Sequence, residues 1–574
     1  MAPTTEDVEK TVAAPEGFSV LQEGKARILQ RENDVFYNKA QVVNRDLSLS
    51  VMRQFQRTRA REHEAEKRAP KNKRGKGQMC ATPRDSHILP YLMTADEIEA
   101  MYKTQDQHDG DADGDGNADK AKEEGDAEIT PREKPPLKNI RILEGMAASG
   151  LRAIRYASEL ADVGCVVAND LDPTAIAAMQ RNKDFNAAHS ADAAARMDKV
   201  VTAGTDVRML MMQHEKMFDA VDLDPYGTPS TLLDGAVQTV ADGGLLLITA
   251  TDMAVLCGNN GEVCWTKYGS YPNRAKYCHE QALRILLHSI NAAACKYKRH
   301  IVPMMSVSVD FYIRVFVRVY TSAKDAKLAP TKVSYCYQCV GCDTFAMQPV
   351  GRTMTKGNST KFQPGRGPVV PENCPNCGWH FNMGGPMWSE PMHNEAWVTE
   401  IKKHVEDNKA LYPGYDKIHA LLTNVSEELL DCPLHYDIHG MSQCLKVTPP
   451  PMALFRSAII NAGYRVSSSH CNPLAVKTDA PVEVLWDILR CWVKEHPVKA
   501  QTEKTPGSVI LEKEPAVKAN WTRVNGAFTQ SQRDGVTRFP NNPEANWGPK
   551  MRAGRPMSGG EAPKQGQTKK QRTQ

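Results

Sequence analysis

The sequence lacks long apolar runs and an apolar leader, and each absence excludes a class of protein. No stretch of about 18 or more apolar residues occurs, so we expect no membrane-spanning helix. The first ten residues carry acidic side chains and no apolar core, which argues against a signal or transit peptide. The 15 cysteines are odd in number and mostly isolated, which is typical of a reducing compartment. We therefore expect an intracellular protein.

A strong net charge is also lacking, since the formal charge of the chain is only +4. The distribution is uneven, however, with basic runs at 53–76 and 550–572 and an acidic run at 106–128. Blocks of like charge are usually solvated, and basic ones often contact nucleic acid. Because the basic segment 71–76 is compatible with a nuclear signal, we predict the nucleus as the compartment, with the mitochondrion as the alternative.

Length predicts more than one folded unit. The chain has 574 residues, whereas a single domain usually holds roughly 100–200. Composition along the chain predicts a disordered start (1–16), a first domain (17–325) with insertions at 56–80 and 104–136, a second domain (326–500) and a disordered basic tail (501–574).

A βαβ rhythm in the first domain predicts a parallel, doubly wound sheet, that is, an α/β fold. Apolar strands alternate with helical segments and lie at 140–143, 165–168, 199–201, 218–221 and 244–251. Residues 303–320 place an apolar side chain at every second position, as late strands of the same sheet would.

Small and acidic residues follow three of these strands. Residues 144–150 are rich in small side chains, which allow a tight turn into a helix and the close approach of a ligand. Asp170 lies where a carboxylate can accept hydrogen bonds from ribose hydroxyls, and Asp206 lies where one can accept from an adenine amine. Together they predict a nucleoside site at the carboxyl edge of the sheet, which NAD and S-adenosylmethionine fit equally well.

The fourth strand ends in Asp222-Leu223-Asp224-Pro225-Tyr226-Gly227, which favours S-adenosylmethionine. This segment is similar to the Asp-Pro-Pro-Tyr motif of amino-methyltransferases that act on nucleobases. An exocyclic amine is a poor nucleophile because its lone pair is delocalised, so an acceptor must bind its N–H groups and take up a proton. A carboxylate and a backbone carbonyl held by proline suit that task, and a tyrosine ring can stack on an extruded base.

These motifs occur in an order that resembles the tRNA (guanine-26-N2)-dimethyltransferases. The resemblance runs from about residue 17 to 500 and rests on residues 35–38, 44–48, 144–152, 169–170, 222–227, 268–272, 384–388 and 477–481. It implies a Rossmann-like methyltransferase domain followed by a smaller α+β tRNA-binding domain. It also implies tRNA as the partner, and we expect a monomer.

The resemblance assigns roles to individual residues. Arg45 would reach the methionine carboxylate of S-adenosylmethionine, and Arg152 would line the same pocket. Asp170 would hold the ribose, and Asp206 with Val207 would hold the adenine.

The catalytic assignment follows from the same resemblance. Asp224 would be the catalytic carboxylate, Pro225 would hold the backbone carbonyl, and Tyr226 would stack on the base. The expected reaction is mono- and dimethylation of the N2 amine of guanosine 26.

Five cysteines between 336 and 377 predict a structural zinc site, since zinc prefers four thiolates and each C-x-x-C turn supplies two. Cys374 and Cys377 form one pair, and Cys377 is followed by the small residue that such a turn favours. Cys339 and Cys342 form the better first turn and line up with the family. We predict these four as the ligands and Cys336 as the spare cysteine.

Three other functions remain open on the sequence. An NAD-dependent oxidoreductase would share the fold but gives no reason for residues 222–226. A zinc-dependent RNA-binding protein without catalysis would use only the cysteines and the basic segments. An amino-methyltransferase acting on another nucleic-acid base is the chemically nearest alternative.

Overall fold

The computed structural model describes residues 12–31, 37–68, 136–357, 359–499 and 503–542. Predictions for residues 1–11, the basic segment 71–76, almost all of the insertion 104–136 and the tail beyond 542 fall outside these ranges. The described chain begins with a hairpin of β1 (Ser19–Glu23) and β2 (Ala26–Gln30), a short 3-10 helix (Lys39–Gln41) and helix α1 (Val42–Arg68).

A seven-stranded sheet forms the centre of the first region. Its strands are β3 (Ile140–Glu144), β4 (Val163–Asn169), β5 (Val200–Ala203), β6 (Phe218–Leu223), β7 (Val240–Ala250), β8 (Arg299–Val309) and β9 (Tyr312–Thr321). The spatial order is β5-β4-β3-β6-β7-β9-β8, with the first five strands parallel and β9 antiparallel to both of its neighbours. The predicted parallel, doubly wound sheet is confirmed.

Helices cover both faces of this sheet, because alternate strand residues point to opposite sides. They are α2 (Leu151–Glu159), α3 (Pro173–Ala187), α4 (Ala191–Met197), α5 (Val207–Gln213), α6 (Leu233–Thr239), α7 (Met253–Leu256), α8 (Gly261–Tyr268), α9 (Cys278–Lys296) and α10 (Ala323–Ala326), with 3-10 turns at Ser230–Leu232 and Ala329–Lys332. Helices α5, α6 and α9 share one hydrophobic core with the sheet, and α1 and α2 share the other. No helix in the described residues is long and apolar enough to cross a membrane.

The second region mixes small sheets with helices. Its strands are β10 (Val333–Cys339), β11 (Phe345–Pro349), β12 (Gly351–Lys356), β13 (Ser359–Pro364), β14 (Phe381–Trp388), β15 (Tyr436–Asp437), β16 (Val466–Ser467) and β17 (Ala475–Thr478). Its helices are α11 (Glu395–Asp407), α12 (Tyr415–Ser426), α13 (Ile438–Leu445), α14 (Met452–Asn461), α15 (Val482–Glu495), α16 (Pro506–Leu511) and α17 (Gln530–Arg533), with 3-10 turns at Lys409–Leu411 and Asn525–Ala527. Strands β11, β10 and β14 form one sheet, and among the described strands β12 pairs with β13 alone.

The insertion predicted at 56–80 is wrong over residues 56–68, which continue α1. Charged side chains of this stretch form ion pairs with charged residues of the folded core. Arg59 lies 3.1 Å from Asp219, and Glu62 pairs with Arg318 of β9 at 2.5 Å. The low apolar content of the stretch concealed a helix that ion pairs hold against the sheet.

The predicted boundary between two separate domains at 325/326 is also corrected by the packing. Apolar side chains of α11 and α12, including Trp397, Ile401 and Leu422, belong to the same core as Leu47 and Phe55 of α1. These two helices therefore cover one face of the first region, although they follow the second region's first strands in the sequence.

The prediction of a disordered tail from residue 501 onward is wrong for residues 503–542, which pack on the second region. Ile510 of α16 is fully buried, and its carbonyl accepts a 2.7 Å hydrogen bond from Arg490. Asp487 accepts hydrogen bonds from the backbone N–H groups of Ala516 and Val517, both at 3.0 Å. Scattered apolar residues in a Pro- and Lys-rich segment are enough to anchor it.

Candidate active site

The order of the central sheet reverses between β3 and β6. Open α/β sheets bind ligands in the crevice outside the carboxyl ends of the strands at such a point. Glu144 at the end of β3 pairs in register with Asp222 near the end of β6. The small-residue loop and the acidic motif therefore lie side by side at this crevice.

Close packing explains the glycine that opens the loop after β3. A Cβ atom on Gly145 would lie 2.7 Å from a Leu223 methyl group and 3.0 Å from one of Val207. The Gly145 N–H donates a 2.9 Å hydrogen bond to the Asp222 carbonyl. The loop ends at Gly150, whose φ of +75° places it in the left-handed region just before α2.

Asn169 and Asp170, at the end of β4, tie three strand-end loops together. The Asn169 amide donates to the carbonyls of Gly145 at 3.1 Å and Thr205 at 3.0 Å. One carboxylate oxygen of Asp170 accepts from the Ala148 N–H at 2.9 Å. The loops predicted to hold a nucleoside are thus brought together at one edge, with Asp170 between two of them.

Asp206 and Val207 stand at the start of α5 on the same edge. Asp206 caps the helix by accepting from the Arg208 N–H, and its carboxylate also pairs with the Arg208 guanidinium at 2.6 Å. Hydrogen bonds from Arg208 lower the pKa of Asp206, so it is ionised at neutral pH. Val207 is buried against the loop at Gly145.

A charged cluster lies directly beneath the acidic motif. We call it the Asp222 cluster, and it consists of Arg152, Tyr156, Asp222 and Arg314. Asp222 is 2.8 Å from Arg152 and 2.9 Å from Arg314, and the Tyr156 hydroxyl donates to it at 2.6 Å. Burial alone would raise the pKa of Asp222, but the two guanidinium groups outweigh burial and lower it. Asp222 is therefore a buried, fully engaged carboxylate.

Asp224, two residues later, has a different environment. Its side chain is 21% exposed, whereas that of Asp222 is fully buried. Its Oδ2 accepts from Arg152 at 2.6 Å and from the Asn44 amide at 3.3 Å, and within the described chain no hydrogen bond to Oδ1 is recorded. Tyr226 follows it with 67% of its surface exposed. Of the two carboxylates, Asp224 is the one that can receive a ligand.

The two arginines predicted for the cofactor pocket are both paired with carboxylates of the protein. Arg45 forms a bidentate pair with Glu23, both contacts at 2.6 Å, and a further hydrogen bond to the Asn38 carbonyl. Arg152 is committed to Asp222 and Asp224 in the Asp222 cluster. The structure thus assigns Arg152 directly to the support of the acidic motif.

Sequence reasoning missed two supports of this motif, Asn44 and Arg314. Asn44 lay within a matched stretch, but nothing in one sequence connects it to a residue 180 positions away. Arg314 did leave a signal, because it occupies a buried strand among apolar neighbours, where a charge needs a partner. Its guanidinium also reaches Ser48 of α1 at 2.8 Å.

The four predicted zinc cysteines come together in the second region. Cys339 and Cys377 have their sulfur atoms 3.3 Å apart, Cys342 and Cys374 are 3.7 Å apart, and all four sulfurs lie within 4.8 Å of one another. A tetrahedral site with Zn–S bonds of about 2.3 Å requires sulfur atoms about 3.8 Å apart, so the donor set fits zinc. Cys336 lies apart from this group, 3.5 Å from the Tyr277 hydroxyl.

A second buried group, His393, Glu428 and His470, does not suit a metal. The Ser306 N–H donates to Nδ1 of His393, and the Ser308 N–H donates to Nε2 of His470, both at 3.2 Å. Each ring therefore carries its proton on the other nitrogen, which cannot serve as a metal ligand. His470 donates that proton to Glu428 at 2.6 Å, so the group is a hydrogen-bonded link to β8.

Comparisons with known proteins agree on one family. The family described as N2,N2-dimethylguanosine tRNA methyltransferase matches residues 17–490. The tRNA (guanine(26)-N(2))-dimethyltransferase 2 of Arabidopsis thaliana is 51% identical over 94% of this chain and 90% of its own length. A mitochondrial tRNA (guanine(26)-N(2))-dimethyltransferase of Saccharomyces cerevisiae is 31% identical over 94% of this chain and 92% of its own. The structure of Trm1 from Pyrococcus horikoshii with S-adenosyl-L-methionine covers 81% of this chain and 98% of its own, with a TM-score of 0.57 and 24% identity, which shows a shared fold.

Glu144 gives the site a measurable pH dependence. Burial, reinforced by the charges of Asp222 and Asp224, raises the pKa of Glu144 from 4.5 to about 8, although Arg152 opposes the change. Between these two values the unfolded chain binds fewer protons than the folded one, so stability falls as pH rises. We expect Glu144→Gln, which cannot ionise, to melt like wild type near pH 4, below the unfolded pKa, and at a higher temperature than wild type near pH 9. Thermal melts across this range would refute the assignment if the difference were independent of pH.

Proposed function

The chain belongs to the N2,N2-dimethylguanosine tRNA methyltransferase family, and we propose that it transfers methyl groups from S-adenosylmethionine to the N2 amine of guanosine 26 in tRNA. The observation that carries this proposal is the position of Asp224. It is a partly exposed carboxylate at the switch point of the sheet, fixed on one oxygen and open on the other. An NAD-dependent oxidoreductase has no use for such a group beside Pro225 and Tyr226, so the family and the geometry favour the same chemistry.

The strand-end loops fit a nucleoside cofactor. The residues that would hold it are Asp170 for the ribose and Asp206 with Val207 for the adenine. Asp170 is held between two loops by the Ala148 N–H and still has lone pairs for hydroxyl donors. S-adenosylmethionine, when bound, supplies an electrophilic methyl group.

The methionine end of the cofactor requires a change in existing contacts. Arg45 is the expected partner of its carboxylate, but its guanidinium is already bonded to Glu23 on two N–H groups. Binding there would require Arg45 to exchange or share this partner. Arg152, in contrast, contributes to the same pocket by holding Asp224.

The chemistry proposed for Asp224 follows from its open oxygen. The amine of guanine donates its N–H groups to Asp224 and to the backbone carbonyl of the Asp224-Pro225 segment, which biases the nitrogen toward a tetrahedral form. As the N–CH3 bond formed, the S–CH3 bond of S-adenosylmethionine would break and leave the neutral thioether S-adenosylhomocysteine, and the Asp224 carboxylate would accept the amine proton. Tyr226, exposed beside it, stacks on the extruded base. A second round on the remaining N–H gives the dimethyl product.

We further propose that Cys339, Cys342, Cys374 and Cys377 bind one structural zinc ion. The four sulfurs are buried and share a core with α13, α14 and α15, so the metal would brace the second region rather than act in catalysis. A monomeric state, and the nucleus as compartment with the mitochondrion as alternative, stay predictions. The mitochondrial relative in yeast supports the alternative.

The reaction can be tested on defined tRNA. We expect purified protein with isotope-labelled S-adenosylmethionine to convert guanosine 26 of a tRNA transcript into labelled N2-methyl- and N2,N2-dimethylguanosine. A transcript with adenosine at position 26 should remain unlabelled, because adenine has no N2 amine. Nucleoside mass spectrometry after digestion gives the result, and label on another base or in both transcripts would contradict the proposed substrate.

The zinc site can be tested by a matched pair of cysteine variants. Cys374→Ala removes one of four ligands, so we expect loss of the roughly one zinc per chain and a lower melting temperature. Cys336→Ala removes a buried cysteine outside the cluster and should keep its metal. Metal content by mass spectrometry distinguishes the two, and equal zinc in both variants would rule out this ligand set.

A further inference from the structure

Strands β12 and β13 form a hairpin that stands outside the cores of the molecule. The two strands pair over their full length, from Gly351↔Pro364 to Lys356↔Ser359, and with no other strand of the described chain. Every hairpin residue between 353 and 362 whose burial is described is exposed, on both faces. Such a two-stranded ribbon gains little from burial, so folding stability alone does not explain its side chains.

The charge of the hairpin has one sign. Residues 344–371 contain four basic residues and no acidic one, the basic residues being Arg352, Lys356, Lys361 and Arg366. In the part of the chain that the structure describes, no carboxylate forms an ion pair with any of these four. Many other basic side chains are paired, as Lys296 is with Asp234 at 3.2 Å.

The register of the hairpin collects three of these cations on one face. Residues directly opposite each other, and residues two apart in a strand, project to the same side of a sheet. Met354 is opposite Lys361, and Lys356 is opposite Ser359. Arg352, Lys356 and Lys361 therefore share a face, with the half-exposed Met354 between them.

The hairpin is attached to the part of the second region that meets the active site. It follows β11, whose sheet also contains β14, and Gly385 of β14 exchanges 2.9 and 2.7 Å backbone hydrogen bonds with Tyr271. Tyr271 follows the last residue of α8, Tyr268, whose hydroxyl donates a 2.7 Å hydrogen bond to Asp252. The residue before Asp252 is Thr251, whose hydroxyl accepts a 2.8 Å hydrogen bond from the N–H of Gly227 in the acidic motif. Hydrogen-bonded elements thus link the sheet that carries the hairpin to the acidic motif, so a polyanion bound by the hairpin would be held in a fixed position relative to that motif.

We propose that the face of the hairpin formed by Arg352, Lys356 and Lys361 binds the phosphate backbone of the tRNA substrate, away from the methylated nucleotide. The inference rests on the proposed function. Cations that form no ion pair within the described chain are suited to bind phosphates, and each phosphate neutralised releases counterions. The hairpin should therefore contribute to affinity and not to the chemical step.

The test compares two double charge reversals with the same change in net charge. K356E/K361E alters the hairpin, whereas K296E/K403E alters exposed lysines of α9 and α11. We expect the hairpin variant to bind tRNA at least about tenfold more weakly, and the slope of log affinity against log salt to fall by roughly 1.4–1.8. The control variant should show a much smaller change. The rate of methylation at saturating tRNA should be that of wild type in both variants.

Further variants and controls separate a failure of this inference from a failure of the proposed function. Melting curves and zinc content check that K356E/K361E is folded, and K356Q/K361Q should show a smaller loss of affinity because it removes charge without adding repulsion. If the wild type binds and methylates tRNA but the hairpin variant matches the control, this inference is wrong and an acidic protein surface becomes the better partner. If the wild-type protein itself neither binds nor methylates tRNA, the proposed function fails and the inference fails with it.

Discussion

The buried carboxylate of Asp222 is the interaction on which the candidate site depends. An ionised carboxylate away from water is costly unless its charge is matched and its lone pairs are used. Asp222 meets both conditions through Arg152 and Tyr156 of α2 and Arg314 of β9. Removing one partner of such a buried pair typically costs about 3–5 kcal/mol, so these elements are fixed relative to one another.

Arg152 also fixes the position of Asp224, because it contacts both carboxylates of the motif. Its guanidinium spans Asp222 at 2.8 Å and Asp224 at 2.6 Å, and Asn44 accepts from it at 3.1 Å while donating to Asp224. Asp224 is therefore positioned by a buried cation without being enclosed. Glu144, whose pKa is raised to about 8, adds little negative charge to the cluster at neutral pH. Of the carboxylates in this cluster, Asp224 is therefore the one that is available to a substrate amine.

The sequence predicted those features that are encoded locally. The strands at 140–144 and 218–223 follow from short apolar runs, and the loop after β3 follows from its small residues. The four clustered cysteines follow from two C-x-x-C turns, since ligand spacing is a local property. Asp224 could be selected over Asp222 because the motif resembles one with a defined catalytic position.

The remaining features depend on contacts between distant residues. Helix α1 continues through a basic stretch because charged residues of the folded core form ion pairs with its side chains. These partners are Asp219, Glu400 and Arg318. Residues 503–542 are ordered by the core that Ile510 enters, which their composition does not reveal. The contacts of Arg152 with Asp222 and Asp224 could not be predicted for the same reason, because these partners are about 70 residues away along the chain.

The central claim is that Asp224 acts on the substrate amine, and single-turnover methylation by Asp224→Asn tests it most directly. The amide keeps the shape of the side chain and can accept one hydrogen bond, but it carries no charge and cannot take up the proton. With excess enzyme and bound cofactor, we expect the methyl-transfer rate to fall by about 10²–10⁴-fold while S-adenosylmethionine affinity and the melting temperature change little. A variant that methylates guanosine 26 at close to the wild-type rate would contradict the account and transfer the role to another acceptor.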